Sequence, residues 1–218
     1  MAETMASMQA FLRTEIGQFI IFAVAALLFL MVSGFMFKRA KMSIKALTYS
    51  SLAMSLAFLL SFVTIHSMPQ GGSVTLMSMF VLSLVGFWFG PGIGITAGFS
   101  YGLLQTIQGV WIIHPIQFLL DYPLAFAALG LSGFFRNRKY GMHIGFFVAA
   151  TGRFILSTIA GFYWLSGGFR EVLWASAVYN FGYIYIEVLG TLIIISFPVV
   201  INALNQIKDS ANMPSSRT

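Results

Sequence analysis

Charge is what this sequence has least of. Acidic and basic residues together make up 8% of its 218 positions, against about 25% in a typical soluble domain. Water is therefore not the main solvent of its surface. Cysteine is absent, which excludes disulfides, zinc–thiolate centres and a cysteine nucleophile. No G-x-x-x-x-G-K-[ST] run occurs, so ATP is not bound in the P-loop manner, and any ATP-driven work falls to another subunit. His66, His114 and His143 stand singly at the ends of apolar segments, without metal-ligand spacing. No serine, histidine and acid converge as a catalytic set, so neither an enzyme nor a metal site is expected.

Apolar residues fill the space that charge leaves. They form 58% of the chain, and "FIIFAVAALLFLMVSGFMF" (19–37) runs 19 residues without a charge. A helix needs roughly 20 such residues to cross hydrocarbon. The run is too long for a signal-peptide core and lacks a small-residue cleavage site, so it reads as a span. The pattern predicts an all-α polytopic membrane bundle with seven spans, at about 17–37, 44–64, 74–89, 92–110, 116–135, 142–165 and 172–205. Short connections separate them: "SMPQGGS", "GPG", "RNRKYG" and "SGG".

The net charge of +6 reads as a topology signal rather than a nucleic-acid surface, because the basic residues adjoin apolar segments. With the amino terminus outside, Lys38, Arg39, Lys41, Lys45, Arg136, Arg138, Lys139, Lys208 and Arg217 fall on the inner side. Only Arg13 and Arg170 fall outside. That bias predicts a plasma-membrane protein with its carboxyl terminus in the cytoplasm. Glycines at 86, 90, 94, 98 and 102 recur every four residues, a smooth stripe suited to close helix packing within the bundle.

Four strongly polar side chains fall inside the later spans: Asp121, Arg153, Asn180 and Glu187. Each is expensive in hydrocarbon and needs a partner or a wet cavity. At about 1.5 Å per residue they sort into two layers. Arg153 and Glu187 lie deep, as a candidate ion pair. Asp121, Asn180 and Ser157 lie nearer the outer mouth, among Tyr101, Trp111, Tyr122, Tyr163, Trp164, Trp174 and Tyr179. An interfacial aromatic belt accounts for such rings but not for a carboxylate among them. Aromatic faces around one anion form a receptor for a flat organic cation. Gln117, four residues before Asp121 and on the same helix face, is placed with Asn180 to read the hydrogen-bonding edge of such a molecule.

These residues carry a resemblance. "MPQGGSVTLMSMF" (68–80), "YGLLQTIQG" (101–109), "IHPIQFLLDYPLAFAALGLSG" (113–133), "RFILSTIAG" (153–161) and "YN" (179–180) resemble the thiamine-specific substrate-binding S component, the ThiT type, of energy-coupling factor (ECF) transporters. The similarity runs from about Ala46 to Leu204. It implies a six-helix membrane domain at 44–205 that captures vitamin B1 from outside. Residues 1–43 would then be an added transmembrane helix with a basic linker, and 206–218 a cytoplasmic tail. It also implies partners, namely a transmembrane coupling subunit and two ATPase subunits, and no cofactor.

Carried over position by position, the resemblance places the acidic-Tyr pair on Asp121 and Tyr122, with Asp where Glu is common. The binding asparagine falls on Asn180, a basic residue on Arg153, and pocket aromatics on Tyr101 and Trp111. The family's binding histidine aligns with Ser157, a binding tyrosine with Ala175 and a stacking aromatic with Leu165, beside Trp164 and Trp174. The resemblance implies thiamine as ligand, and the loss of an imidazole and a phenol at these departures would retune the pocket toward a close analogue or precursor. Small residues Ser51, Ala53, Ser55 and Ala57 match the family's surface for docking the coupling subunit. Gly71 and Gly72 make "MPQGGS" a candidate lid. The alternative expected from the polar residues alone is a stand-alone carrier or channel in which Asp121, Arg153 and Glu187 relay ions. No inverted repeat supports it.

Overall fold

The computed structural model describes residues 42–109 and 111–212, with isolated positions 14, 16, 20 and 27. The expected first span and basic linker lie outside the continuously described residues. Seven helices and one hairpin are described. Helix α1 (Ile44–Ser61) starts where the Ser43 hydroxyl accepts the Ala46 N–H at 3.1 Å, an N-cap that satisfies one of the four unpaired amides of a first turn. Its buried face is Ala46, Ser50, Ala53, Ala57 and Ser61, all small, so the neighbouring helix α2 (Ser78–Phe89) packs closely against it. Ser51 and Ser55 point outward, beside exposed Leu52 and Leu56. Ala53 and Ala57 therefore face into the bundle, so that of the four residues expected at a docking surface the serine pair is exposed.

Between α1 and α2 the chain forms antiparallel strands β1 (Thr64–Ser67) and β2 (Ser73–Thr75), paired His66 to Val74 and Ser67 to Ser73. This hairpin is the departure from an all-helical chain, and it occupies the segment read as loop and as the beginning of the 74–89 span. Its turn, Pro69–Gly71, uses left-handed backbone at Gln70 (φ 62°) and Gly71 (φ 90°). Helix α2 ends at Gly90, whose φ of 94° ends the helix, and Pro91 opens α3 (Pro91–Leu104) at the position where a missing N–H does no harm. At 12 and 14 residues, α2 and α3 are about 18 and 21 Å long, short of the roughly 30 Å hydrocarbon core.

Helix α4 (Pro115–Phe135) is the least regular. It changes at Leu120 from α to a π-helical turn, Leu120–Leu124, and finishes as a 3-10 helix from Ala128. Pro123 sits inside the π turn; lacking an N–H, it breaks the i→i−4 ladder there, and the extra residue re-aims its neighbours. The glycine stripe of α3 lies on this helix. A Cβ on Gly102 would come within 2.5 Å of the Tyr122 carbonyl oxygen, and one on Gly94 within 2.9 Å of the Gly130 Cα. The stripe is thus consumed in packing α3 on α4 and, at Gly94, against Gly86 of α2, as its spacing predicts.

Helices α5 (Gly141–Ala160), α6 (Phe169–Ile195) and α7 (Pro198–Asn212) complete the chain. The last run, read from sequence as one long span over 172–205, is broken at Ser196–Phe197, because Pro198 cannot donate to the carbonyl four residues back. Among the described residues, four helices are long and apolar enough to cross a membrane: Ile44–Ser61, Pro115–Phe135, Gly141–Tyr163 and Phe169–Ile195. The hairpin, the end of α3 and the α5–α6 connection meet at one end of the bundle, where Gln108 bonds Ser61 and His114 stacks on Tyr163. Arg136 and α7 meet at the other, where Lys208 donates to the Arg136 carbonyl at 2.6 Å.

Candidate binding site

A cavity of about 190 Å³ opens under the β1–β2 hairpin, walled by α4, α5 and α6 and by the segment following α3. Asp121, Tyr122, Asn180, Trp111, Trp164, Gln117, Ser157 and Arg153 all line it, as do Gly71 and Gly72 of the turn. Tyr101 does not. It is fully buried one layer back, its hydroxyl donating to the Ala57 carbonyl at 3.1 Å and accepting from Gln105 Nε2 at 2.6 Å. Lying one residue before Gly102, whose face is taken by α4, it turns toward α1. Its ring contacts Phe126 (4.9 Å between centroids), and Phe126 and Gln105 are the cavity residues it supports.

Asp121 sits in the π turn, and that irregularity brings both it and Tyr122 to the cavity wall. Gln117, expected to read a ligand edge, is already committed. Its Nε2 donates to Asp121 Oδ2 at 2.8 Å and to the Trp111 carbonyl at 3.3 Å, and its Oε1 accepts the Ile113 N–H at 3.2 Å. It orients the carboxylate and fastens the segment carrying Trp111. Asn180 is likewise partly used, donating to the Ser176 carbonyl at 2.9 Å while its Oδ1 accepts the Tyr183 hydroxyl at 2.8 Å. One lone pair of that oxygen is left over.

The expected Arg153–Glu187 ion pair does not form among the described residues. Glu187 accepts instead from the Thr75 N–H and hydroxyl, both at 2.7 Å, and from the Met79 N–H at 3.1 Å. A carboxylate satisfied by two amides and a hydroxyl, one amide in the positive first turn of α2, has no need of the guanidinium. Arg153 rests on the Phe126 ring, 4.1 Å from its centroid, and its buried Nε has no hydrogen-bond partner.

The aromatic lining is continuous. Trp111 meets Trp164 edge-on at 5.6 Å, Trp164 meets Tyr179 at 5.4 Å, and Tyr179 meets Tyr183 at 5.8 Å. Trp174 is 73% exposed and Ala175 also faces outward, away from this row. The α6 phenols at the cavity are those of Tyr179 and Tyr183, one and two turns further on. Sequence reasoning set Tyr179 among the aromatics around Asp121 without naming it a site residue, and it missed Tyr183, Phe126 and Thr75. A signal existed for α6. Ser176, Asn180, Tyr183, Glu187 and Thr191 recur at spacings of three and four and are all buried, a polar stripe on a lipid-length helix.

Three comparisons bear on this arrangement. The profile of the thiamine transporter protein family (Thia_YuaJ) matches residues 47–207. The chain belongs to that family. The thiamine transporter ThiT of Bacillus subtilis (strain 168) is 50% identical over 72 residues, a stretch covering 33% of this chain and 37% of that relative. The aligned part thus spans little more than a third of the relative's length. A solved structure of ThiT from Listeria monocytogenes superposes with a TM-score of 0.57 over 78% of this chain and 97% of that one, at 20% identity, a likeness of fold. The protein is accordingly a multi-pass helical membrane protein of a transporter family rather than an enzyme.

Proposed function

We propose that this protein captures thiamine, or a close analogue or precursor, from the outer side of the cell membrane and presents it for import. The observation that carries this reading is Asp121, a carboxylate facing a small cavity among Trp111, Trp164, Tyr122 and Tyr179. Thiamine joins a cationic thiazolium to a flat aminopyrimidine. A buried anion offsets the first, and ring faces and polar atoms suit both. Ser157 supplies a hydroxyl beside Asp121 where the resemblance has an imidazole, so the site offers fewer ring contacts there and more room.

Orientation follows from charge. The cavity lies at the end of the bundle opposite Arg136, Arg138 and Lys139, so the positive-inside rule turns the cavity outward. The β1–β2 hairpin, seated over the cavity through Gly71 and Gly72, acts as its lid. Import itself would use the ECF coupling subunit and two ATPases, docked through an outward face of α1 that carries Ser51 and Ser55. Purified protein should quench its tryptophan emission saturably on adding thiamine, since Trp111 and Trp164 line the cavity. An unresponsive protein, with calorimetry equally silent, would remove thiamine as ligand.

A further inference from the structure

The hairpin over the cavity is held by a single face of α6, and the two points of attachment differ in kind. At its tip, the Tyr179 hydroxyl donates to the Pro69 carbonyl and accepts the Gly72 N–H at 2.9 Å. One phenol thus bridges both sides of the turn. At its base, Glu187 takes the Thr75 amide and hydroxyl together with the Met79 amide at the start of α2. The base attachment is charge-assisted, threefold and buried, with Glu187 4% exposed. The tip attachment rests on one neutral hydroxyl at a half-buried ring, so it is the weaker of the two.

We infer that Tyr179 is a latch: it holds the hairpin tip shut, and the cavity opens when this hydroxyl lets go while Glu187 keeps the base pinned. Tyr179 is a positioning residue in this scheme, setting how fast a molecule enters and leaves. The inference relies on the capture reading only for the identity of that molecule. Gly72 supports it independently. Its φ of −64° and ψ of 140° are open to any residue. Yet a Cβ there would lie 2.7 Å from the Tyr179 hydroxyl oxygen and 2.9 Å from Cδ1 of the buried Tyr183 ring. Alanine at 72 is therefore compatible with a raised hairpin and incompatible with a latched one.

The absence of cysteine permits a test that needs no ligand. In Ser157→Cys, a thiol lies at the cavity wall, and its rate of modification by a water-soluble methanethiosulfonate reports opening. Adding Tyr179→Phe, which keeps the ring contacts and removes both hydrogen bonds, should speed labelling roughly tenfold, and Gly72→Ala should do the same. Hydrogen exchange at Gly72 should accelerate in Tyr179→Phe, with Thr75 and Met79 unchanged. Labelling within twofold of the parent overturns the latch, and equal acceleration at all three amides overturns the pinned base. In the cysteine-free protein, stopped-flow fluorescence with thiamine should show association and dissociation both faster in Tyr179→Phe. If labelling responds as expected while the unmodified protein ignores thiamine, the latch stands and the substrate assignment falls.

Discussion

Asp121→Asn is the substitution that most directly probes the cavity. It preserves shape, and the amide oxygen can still accept from Gln117 Nε2, which now lies 2.8 Å from the carboxylate. What disappears is one negative charge. Two unit charges about 4 Å apart interact by roughly 4 kcal/mol at an effective dielectric of about 20. Part of that is already offset in the empty site by the Gln117 amide and the Ser157 hydroxyl. A net loss of about 1.5–3 kcal/mol remains, the range for a hydrogen bond to a charged group, or roughly ten- to a hundredfold in Kd. The informative assay is calorimetric titration of both proteins with thiamine and with a neutral analogue whose thiazolium is replaced by an uncharged ring. Thiamine affinity should fall at least tenfold in the variant, and affinity for the neutral analogue less than threefold. Equal losses for both ligands would show that Asp121 acts through shape or hydrogen bonding, and the charge-pairing argument would be wrong.

Two further substitutions test the packing that positions the site. Gly102→Val places a branched side chain where even a Cβ would meet the Tyr122 carbonyl at 2.5 Å; overpacking against backbone of this kind costs about 1–3 kcal/mol, so the melting temperature in detergent should drop by several degrees and ligand affinity should fall with it. On α1, Ala57→Leu should destabilise the isolated protein, because Ala57 is fully buried. Ser55→Leu should leave its melting temperature unchanged and weaken co-purification with a coupling subunit; the reverse pattern would move the docking surface off this face.

Much of the fold was legible because the membrane imposes a simple rule: each backbone amide must be paired inside the segment. Uncharged runs therefore become helices, and Gly90–Pro91 and Pro198 break them for local reasons. Pro198 was legible too, yet the apolar residues after it hid the break at Ser196–Phe197. The hairpin was harder to see. Four residues in β1 and three in β2 give no periodicity to read, and the carboxylate that holds the hairpin base, Glu187, lies more than a hundred positions away. At the site, residue types pointed to helix faces that line the cavity. What they could not disclose was which polar atoms were already engaged. Gln117 and Asn180 look like ligand readers until their partners are known, and Tyr101 looks like a cavity ring until the packing of Gly102 on α4 turns it away.

Polar groups within the bundle divide by whether the protein itself satisfies them. Glu187, Asn180 and Gln117 are bonded to backbone or to neighbouring side chains, and their desolvation is offset within the fold. Asp121 and Arg153 are not offset to the same degree. Asp121 has one carboxamide and a nearby hydroxyl, and Arg153 has an aromatic face and an unpartnered Nε. Had their function been to stabilise the bundle, pairing Arg153 with Glu187 would have been the economical solution, since both line the same cavity. The fold instead assigns Glu187 to the hairpin base and leaves an anion and a cation with spare capacity facing one chamber. On the proposed capture reading, a molecule that fills it carries positive charge toward Asp121 and offers an acceptor toward Arg153. Arg153→Met should therefore discriminate among ligands by their acceptor group, leaving the response to a bare organic cation intact while weakening the response to one bearing a hydroxyl or phosphate tail.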